Sequence, residues 1–410
     1  MNDAAQLGPR LRDAREKRGL SQQAVAEALG LPRTAVTNIE SGNRSLSTTE
    51  LMKLANLYDR SVVSFLEDEA ATADDASVIL LRALQQASNG PEFRGAIAHV
   101  LNLCREGAAL RALLGQSLDE PLPDYATRLA FAGEAIRQGD FVAQEERRRL
   151  GLGDAPIGNI ASLISSQGIW VAACDLPDDM SGLFTHDRRA GLAIIVNVKH
   201  AAVRRRFSYA HEYGHALFDR AEPYRLTRRT NADEMVEKRA NAFAASFLMP
   251  KGGIEDQLRQ LDKGRPSRQA QIVYDVAGDA ASESEVRPRA GSQTITWQDA
   301  GSIARHFGVS YESAVWRLRN LNHLGPTETT TLLAEKDKRL RLEDILKLRI
   351  DDVIPPPDTR DQELRNQVVR LAIEAFRREE ISQGRLRELA GKLGIRGSDL
   401  IELAESARAA

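Results

Sequence analysis

The stretch His211-Glu212-Tyr213-Gly214-His215 constrains this chain more than any other. Two histidines four residues apart project from one face when the backbone is helical. Two imidazoles on one face can share a divalent ion, and Glu212 sits on the flank where a carboxylate can hold a water. The surrounding pattern predicts a helix from about Arg204 that ends before Asp219. A hydrolytic centre of this type uses three protein ligands and keeps one position open. The third ligand must then come from a second element.

A helix predicted over 231–248, stopped at Pro250, offers Asp233, Glu234 and Glu237. Glu237 is the first choice, because Phe243, Phe247 and Leu248 mark the buried side that follows it. Asn241 lies four residues further on the same face, placed to orient a ligand. Glu234 is the reserve, on nearly the same face. Two neutral imidazoles and one carboxylate leave a divalent ion net positive, which suits a developing oxyanion. Tyr209, Tyr213 and His186 are candidate oxyanion donors by residue type alone.

A second specific signal spans residues 20–44, LSQQAVAEALGLPRTAVTNIESGNR. Val25, Ala26 and Leu29 form an apolar stripe, Gly30 supplies a turn, and Pro32 fits the first turn of a following helix. Val36 and Ile39 face back to the core. This is the pattern of a helix-turn-helix. Arg33, Thr34, Thr37 and Asn38 remain outward, with short hydrogen-bonding groups suited to base edges. Gln22 and Arg44 fall where phosphate contacts would orient the helix. Residues 1–66 hold nine Lys/Arg and seven Asp/Glu, a balance of +2. Affinity for a double-stranded DNA operator then calls for dimerisation or several sites.

The whole chain of 410 residues has a formal net charge of −2, which excludes a uniformly basic nucleic-acid coat but not a local DNA-reading face. Cys104 and Cys174 are far apart and belong to no Cys-x-x-Cys, so neither a disulfide scaffold nor a cysteine zinc site is expected. The opening residues hold no apolar signal core, and the longest apolar run, near Leu192–Val198, is far short of a membrane span. A cytoplasmic, nucleoid-associated protein without a membrane partner is expected. Strand candidates are GIWVAAC (168–174) and GLAIIVNV (191–198). Residues 67–76 read as an acidic linker, 278–293 as a mobile insertion, and 355–357 as a proline break. A helix–Gly–helix grammar recurs at Gly30, Gly308 and Gly394. At the last two it reads as helical hairpins packed on a core. His306 and His323 read as packing or surface residues. Arg204, Arg205 and Arg206 read as a solvated face, with recognition of an acidic substrate as the alternative.

The SQ opening, LG turn and ES-GNR close resemble the phage-repressor or XRE family, in which the positions matching Arg33, Thr34 and Asn38 read bases. RRRFSYAHEYGHALF (204–218) followed by EKRANAFAASFLMP (237–250) resembles the ImmA/IrrE metallopeptidases. The resemblance extends over about 155–325, and only 278–293 looks longer than usual. It implies His211, His215 and Glu237 as metal ligands and Glu212 as the catalytic carboxylate. The ligand set suits Zn2+ best, with Mn2+ as the alternative.

The expected fold is mostly α with a small β-sheet (α+β). Residues 1–66 are expected to form an all-α helix-turn-helix domain and 67–150 a linker and helical connector. Residues 151–325 would form a zincin-like metallopeptidase core and 326–410 a helical region. The resemblance implies an endopeptidase that cleaves a helix-turn-helix repressor under stress. Three arrangements follow: a protease tethered beside a DNA-bound repressor, a repressor that cuts itself within 67–76 or 278–293, or a ligand-responsive regulator whose peptidase fold only senses. A homodimer is compatible with each.

Overall fold

The computed structural model describes residues 4–58, 65, 80, 91–116, 122–264, 269–275, 280–286, 291–338 and 361–409. It separates into two compact units, Met1–Val78 and Ile79–Ala410. The linker expected at 67–76 and the prolines at 355–357 lie outside the described residues.

The first unit contains α1 (Ala4–Lys17), α2 (Gln22–Leu29), α3 (Arg33–Glu40) and α4 (Thr48–Tyr58). Ser21 caps α2 by accepting from the Ala24 amide at 3.1 Å. Gly30 ends it at φ 68°, a conformation costly for other residues. Leu11, Val25, Ala26, Val36, Ile39 and Leu54 close the core. One charged pair crosses that core. Arg15 Nε donates to Glu40 Oε1 at 2.6 Å and its Nη2 to Oε2 at 3.1 Å, with both residues buried. The two-pronged match fixes α1 against the end of α3.

The second unit opens with α5 (Pro91–Leu113), α6 (Ala132–Arg149) and α7 (Ile160–Ser166). A sheet follows, made of β1 (Trp170–Cys174), β2 (Met180–Asp187) and β3 (Gly191–Asn197), then α8 (Ala202–Phe218) and β4 (Tyr224–Arg228). Next come α9 (Met235–Leu248), α10 (Lys251–Gln260), β5 (Gln269–Asp275), β6 (Ala280–Val286), α11 (Trp297–Phe307), α12 (Tyr311–Asn320) and α13 (Pro326–Ala334). The chain closes with α14 (Gln362–Arg377), α15 (Gln383–Lys392) and α16 (Gly397–Ala409).

The sheet order is β1-β3-β2-β4, with β1 parallel to β3 and β2 antiparallel to both its neighbours. Alternation along the strands sends side chains to two cores. Val171, Ala173, Phe184, Ile194 and Val196 pack towards α7, α8 and α9. Trp170, Ala172, Leu183, Ala193 and Ile195 pack towards α5 and the helices of 361–409. The fold is α+β, as expected, and those C-terminal helices are the back layer of the sheet.

Three expectations change. The sheet has four strands rather than two. β2 is a central strand whose sequence, MSGLFTHD, lacks the β-branched run that marks β3. β4 is YRLTR, half-buried throughout, and so lacks a clear inward face. Part of the expected mobile insertion is strand β6, which pairs with β5 residue by residue from Gln269–Val286 to Asp275–Ala280. That ladder is held by main-chain hydrogen bonds, which need no apolar period. Finally, Arg206 is buried and donates to the carbonyls of Ile157 and Gly158, so the basic run is not wholly a solvated face. Gly308 and Gly394 adopt φ 65° and 66° and close helical hairpins, as expected.

Helix α6 lies directly on α9. A Cβ at Gly139 would clash with the Arg239 carbonyl and stand 2.8 Å from the Phe243 nitrogen. Both of these are backbone atoms of the helix that carries Glu237, so they cannot yield cheaply. Gly139→Val is therefore expected to destabilise the second unit by about 1–3 kcal/mol, read by denaturant unfolding. It should also loosen metal binding, whereas Gly95→Ala, in the open on helix α5, should leave metal binding unchanged and lower stability not at all.

Candidate metal centre and nucleic-acid interface

Helix α8 runs beneath the sheet and is buried from Ser208 to Phe218. Its apolar side chains Tyr209, Ala210, Tyr213, Ala216 and Leu217 belong to the core on that side of the sheet. His211 and His215 are also buried, their rings edge-to-face with centroids 4.8 Å apart. α9 packs against α8 and delivers Glu237 from its first turn.

Three side chains converge. His211 Nε2 lies 3.1 Å from His215 Nε2 and 3.1 Å from Glu237 Oε2. His215 Nε2 lies 3.5 Å from Glu237 Oε1. The ligand atoms of His211, His215 and Glu237 all fall within 4.8 Å of one another.

The far side of each ring explains its orientation. His211 Nδ1 faces Asn241 Oδ1 at 2.9 Å, and His215 Nδ1 faces Asp219 Oδ2 at 2.7 Å. Both partners are acceptors, so both Nδ1 atoms carry the proton and both Nε2 lone pairs turn inward. Two lone pairs and a carboxylate facing one another, all buried, require a positive charge between them. A divalent ion with nitrogen and oxygen ligands meets that requirement. Where protons stand in, the same geometry governs titration. Burial opposes charge on His215, but hydrogen bonds to Asp219 and Glu237 outweigh it and raise the ring to about 9. Burial likewise opposes the Glu237 carboxylate, but His211 and His215 outweigh that and lower it to about 2.

Asp219 extends the network. Its Oδ1 accepts from Arg239 Nη2 at 2.7 Å, and the Arg239 guanidinium lies 4.4 Å from the Phe218 ring centre. Arg239 also donates to the Thr127 carbonyl at 3.2 Å. The helix carrying the third ligand thus braces the acid that orients the second.

Glu212 is fully buried, and the side-chain donor beside its carboxylate is the Thr227 hydroxyl of β4. Burial pushes its carboxyl up, opposed by the charges of His211 and His215. Room for it comes from Gly182 on β2: a Cβ there would stand 2.7 Å from Glu212 Oε1. A buried carboxylate with a raised pKa can take a proton from a molecule bound beside it.

The reserve ligands stand elsewhere. Glu234 is exposed and pairs with Arg225 at 3.3 Å, while Asp233 is exposed and pairs with Lys238 at 3.7 Å. The Tyr213 hydroxyl donates to Glu146, and His186 Nδ1 meets the Arg220 carbonyl at 3.1 Å, so both are engaged structurally. Asp219 escaped the sequence reading. Its spacing of four from His215 was the available signal, hidden because it falls just past the helix end.

In the first unit, Arg33, Thr34, Thr37 and Asn38 are all exposed on α3. Gln22 is half-buried; its amide donates to Glu40 at 2.9 Å and accepts from the Thr37 hydroxyl at 3.2 Å. Arg44 donates to Glu50 at 2.8 Å.

The helix-turn-helix family matches residues 11–65, and the IrrE N-terminal-like domain matches residues 164–271. The chain thus joins a segment similar to helix-turn-helix domains to one similar to the IrrE N-terminal-like domain. It is 32% identical over 81 residues to the HTH-type transcriptional regulator ImmR of Bacillus subtilis (strain 168), covering 20% of this chain and 64% of that protein. It is 29% identical over 123 residues to the HTH-type transcriptional regulator PrpR of Mycobacterium tuberculosis (strain ATCC 25618 / H37Rv), covering 30% of this chain and 25% of that protein. The match thus spans less than two thirds of either curated relative. Among the described residues, no helix is long and apolar enough to cross a membrane.

Asp219→Asn is expected to weaken the binding of a divalent metal ion by about ten- to a hundredfold, measured by competition with a chromogenic chelator. Glu234→Gln should leave the affinity unchanged, because Glu234 does not reach the centre.

Proposed function

We propose that this chain is a DNA-binding transcriptional regulator whose second unit is a zinc-dependent endopeptidase, with His211, His215 and Glu237 as ligands. The observation that carries this reading is the convergence of those three buried side chains on one point, with the buried carboxylate of Glu212 on the same helix between the two histidines. Zn2+ suits two imidazoles and a carboxylate, and Mn2+ is the alternative. The bound cation supplies Lewis acidity, which polarises a carbonyl and makes water more acidic.

The chain's own residues do the rest. Glu212 takes the proton of the attacking water and hands it to the departing nitrogen. Its buried position raises its pKa towards the range in which a carboxyl can do both. Asn241 and Asp219 hold the two imidazoles in the tautomer that points Nε2 inward. Arg239 donates to Asp219 and holds it in place.

The substrate class is a protein segment, with a helix-turn-helix repressor or this chain itself as the cleaved partner. DNA is read by Arg33, Thr34, Thr37 and Asn38 of α3 in the major groove, with Gln22 and Arg44 orienting the helix. The weakly basic first unit favours action as a homodimer on an operator, on the nucleoid in the cytoplasm.

Glu212→Gln is expected to keep stoichiometric zinc and DNA affinity but to lose metal-dependent cleavage by at least about a thousandfold. The readout is fragment formation from the protein itself and from a co-expressed repressor. Target-gene output identical in wild type and Glu212→Gln would remove proteolysis from the mechanism. In the same cells, Asn38→Ala is expected to relax operator preference by about 1–3 kcal/mol, measured by competition binding at fixed salt.

A further inference from the structure

Strand β4, last in the sheet order, alternates between two faces. Tyr224 and Leu226 pack into the core behind the sheet, which turns Arg225 and Thr227 towards α8 and α9. Two residues apart on a strand, they stand about 7 Å from each other. Thr227 lies beside the Glu212 carboxylate. Arg225 lies beside Glu237: its Nη1 is 3.8 Å from Oε1, the oxygen that stands 3.5 Å from His215 Nε2. The strand thus sets a hydroxyl against the proton acceptor and a guanidinium against the third ligand.

The guanidinium is not spent on Glu237. At 3.8 Å the contact is longer than a hydrogen bond. Nη1 donates instead to Glu234 at 3.3 Å, a carboxylate whose side chain is 54% exposed. An exposed pair of that kind contributes little, so a better acceptor can replace Glu234. Arg225 also lines a cavity of about 700 Å3, with Phe218, Asp219, Met235 and Arg239 around it. Its Nε is buried, so contact with a ligand falls to the outer nitrogens. The other candidate donors are engaged or enclosed. The Tyr213 hydroxyl donates to Glu146, His186 meets the Arg220 carbonyl, and Tyr209 is buried in the core beneath the sheet. Arg239, the other buried cation along the cavity, is bound to Asp219.

We infer that Arg225 is a catalytic residue of the peptidase, the side-chain donor that stabilises the oxyanion of the scissile peptide bond; this rests on the peptidase reading above. As the water oxygen adds to the carbonyl carbon, its proton passes to Glu212 and the carbonyl π pair moves onto the carbonyl oxygen. That negative charge is met by the guanidinium, whose planar N–H groups suit an oxyanion. When the pair returns, the C–N bond breaks and Glu212 delivers the proton to the departing nitrogen. Arg225 itself exchanges no proton in this sequence. Glu234 holds the guanidinium at rest and yields it to the developing charge.

The test uses the full-length protein loaded with Zn2+ and two probes, read by titration calorimetry. Inorganic phosphate presents a tetrahedral oxyanion, whereas imidazole is a neutral metal ligand without one. Arg225→Gln should weaken phosphate binding by about ten- to a hundredfold, the loss expected for a hydrogen bond to a charged group. Imidazole binding should stay as in the wild type. Glu234→Gln, which frees the guanidinium, should strengthen phosphate binding by about two- to fivefold. Metal-dependent fragment formation should fall by about a hundredfold or more in Arg225→Gln. A wild type that takes up no zinc would overturn both this inference and the reading beneath it. With zinc bound, undiminished phosphate affinity in Arg225→Gln would overturn the inference alone. So would equal losses for phosphate and imidazole, which would make Arg225 a brace for Glu237, or a Glu234→Gln variant without a gain.

Discussion

The structure of the second unit depends on one electrostatic requirement. Two imidazole lone pairs and a carboxylate meet within a few ångströms, on side chains that are all buried. Such an arrangement is unfavourable unless a positive charge joins it. Every element around it serves to hold the three donors in that position. α8 supplies two of them from consecutive turns of one helix. α9 supplies the third, pressed close by α6 through the bare backbone at Gly139. Asn241 and Asp219 prevent the rings from turning, and Arg239 ties Asp219 to the helix that bears Glu237. The ligand geometry and the packing of α8 on α9 are therefore one constraint.

The sheet supports the site from above and is itself supported from behind. β2 crosses over Glu212 at Gly182, the point where a side chain would intrude on the carboxylate. Its opposite face rests on α5 and the helices of 361–409. The C-terminal segment thus contributes to the rigidity of the site although it contacts none of the ligands.

How much of this was legible in the sequence varied with the kind of signal. His211, Glu212 and His215 announce themselves because chemistry and helical period coincide in five residues. Glu237 was selected over Glu234 and Asp233 from the apolar side of its helix, and the geometry sets Glu237 beside the histidines while the other two face solvent. The helix-turn-helix was readable because its turn, its small residue and its apolar stripe follow local rules. β2 was not readable, since a central strand containing glycine and polar residues owes its identity to neighbours on both sides. Asp219 and Arg239 were not read as a pair because their meeting depends on how α8 and α9 pack. The helices of 361–409 showed amphipathic periods, but such a period does not say which surface it covers. The buried Arg15–Glu40 pair was equally silent, because its residues are 25 positions apart and look like surface charges.

The central claim concerns what stands between three side chains, and X-ray absorption at the zinc edge reads that directly. On protein loaded with one equivalent of Zn2+, the account predicts a first shell of nitrogen and oxygen only, at about 2.0–2.2 Å, with the outer-shell signature of two imidazoles. Glu237→Ala should remove one oxygen ligand and leave both imidazoles. A shell containing sulfur, a single imidazole, or a spectrum indifferent to Glu237→Ala would contradict it.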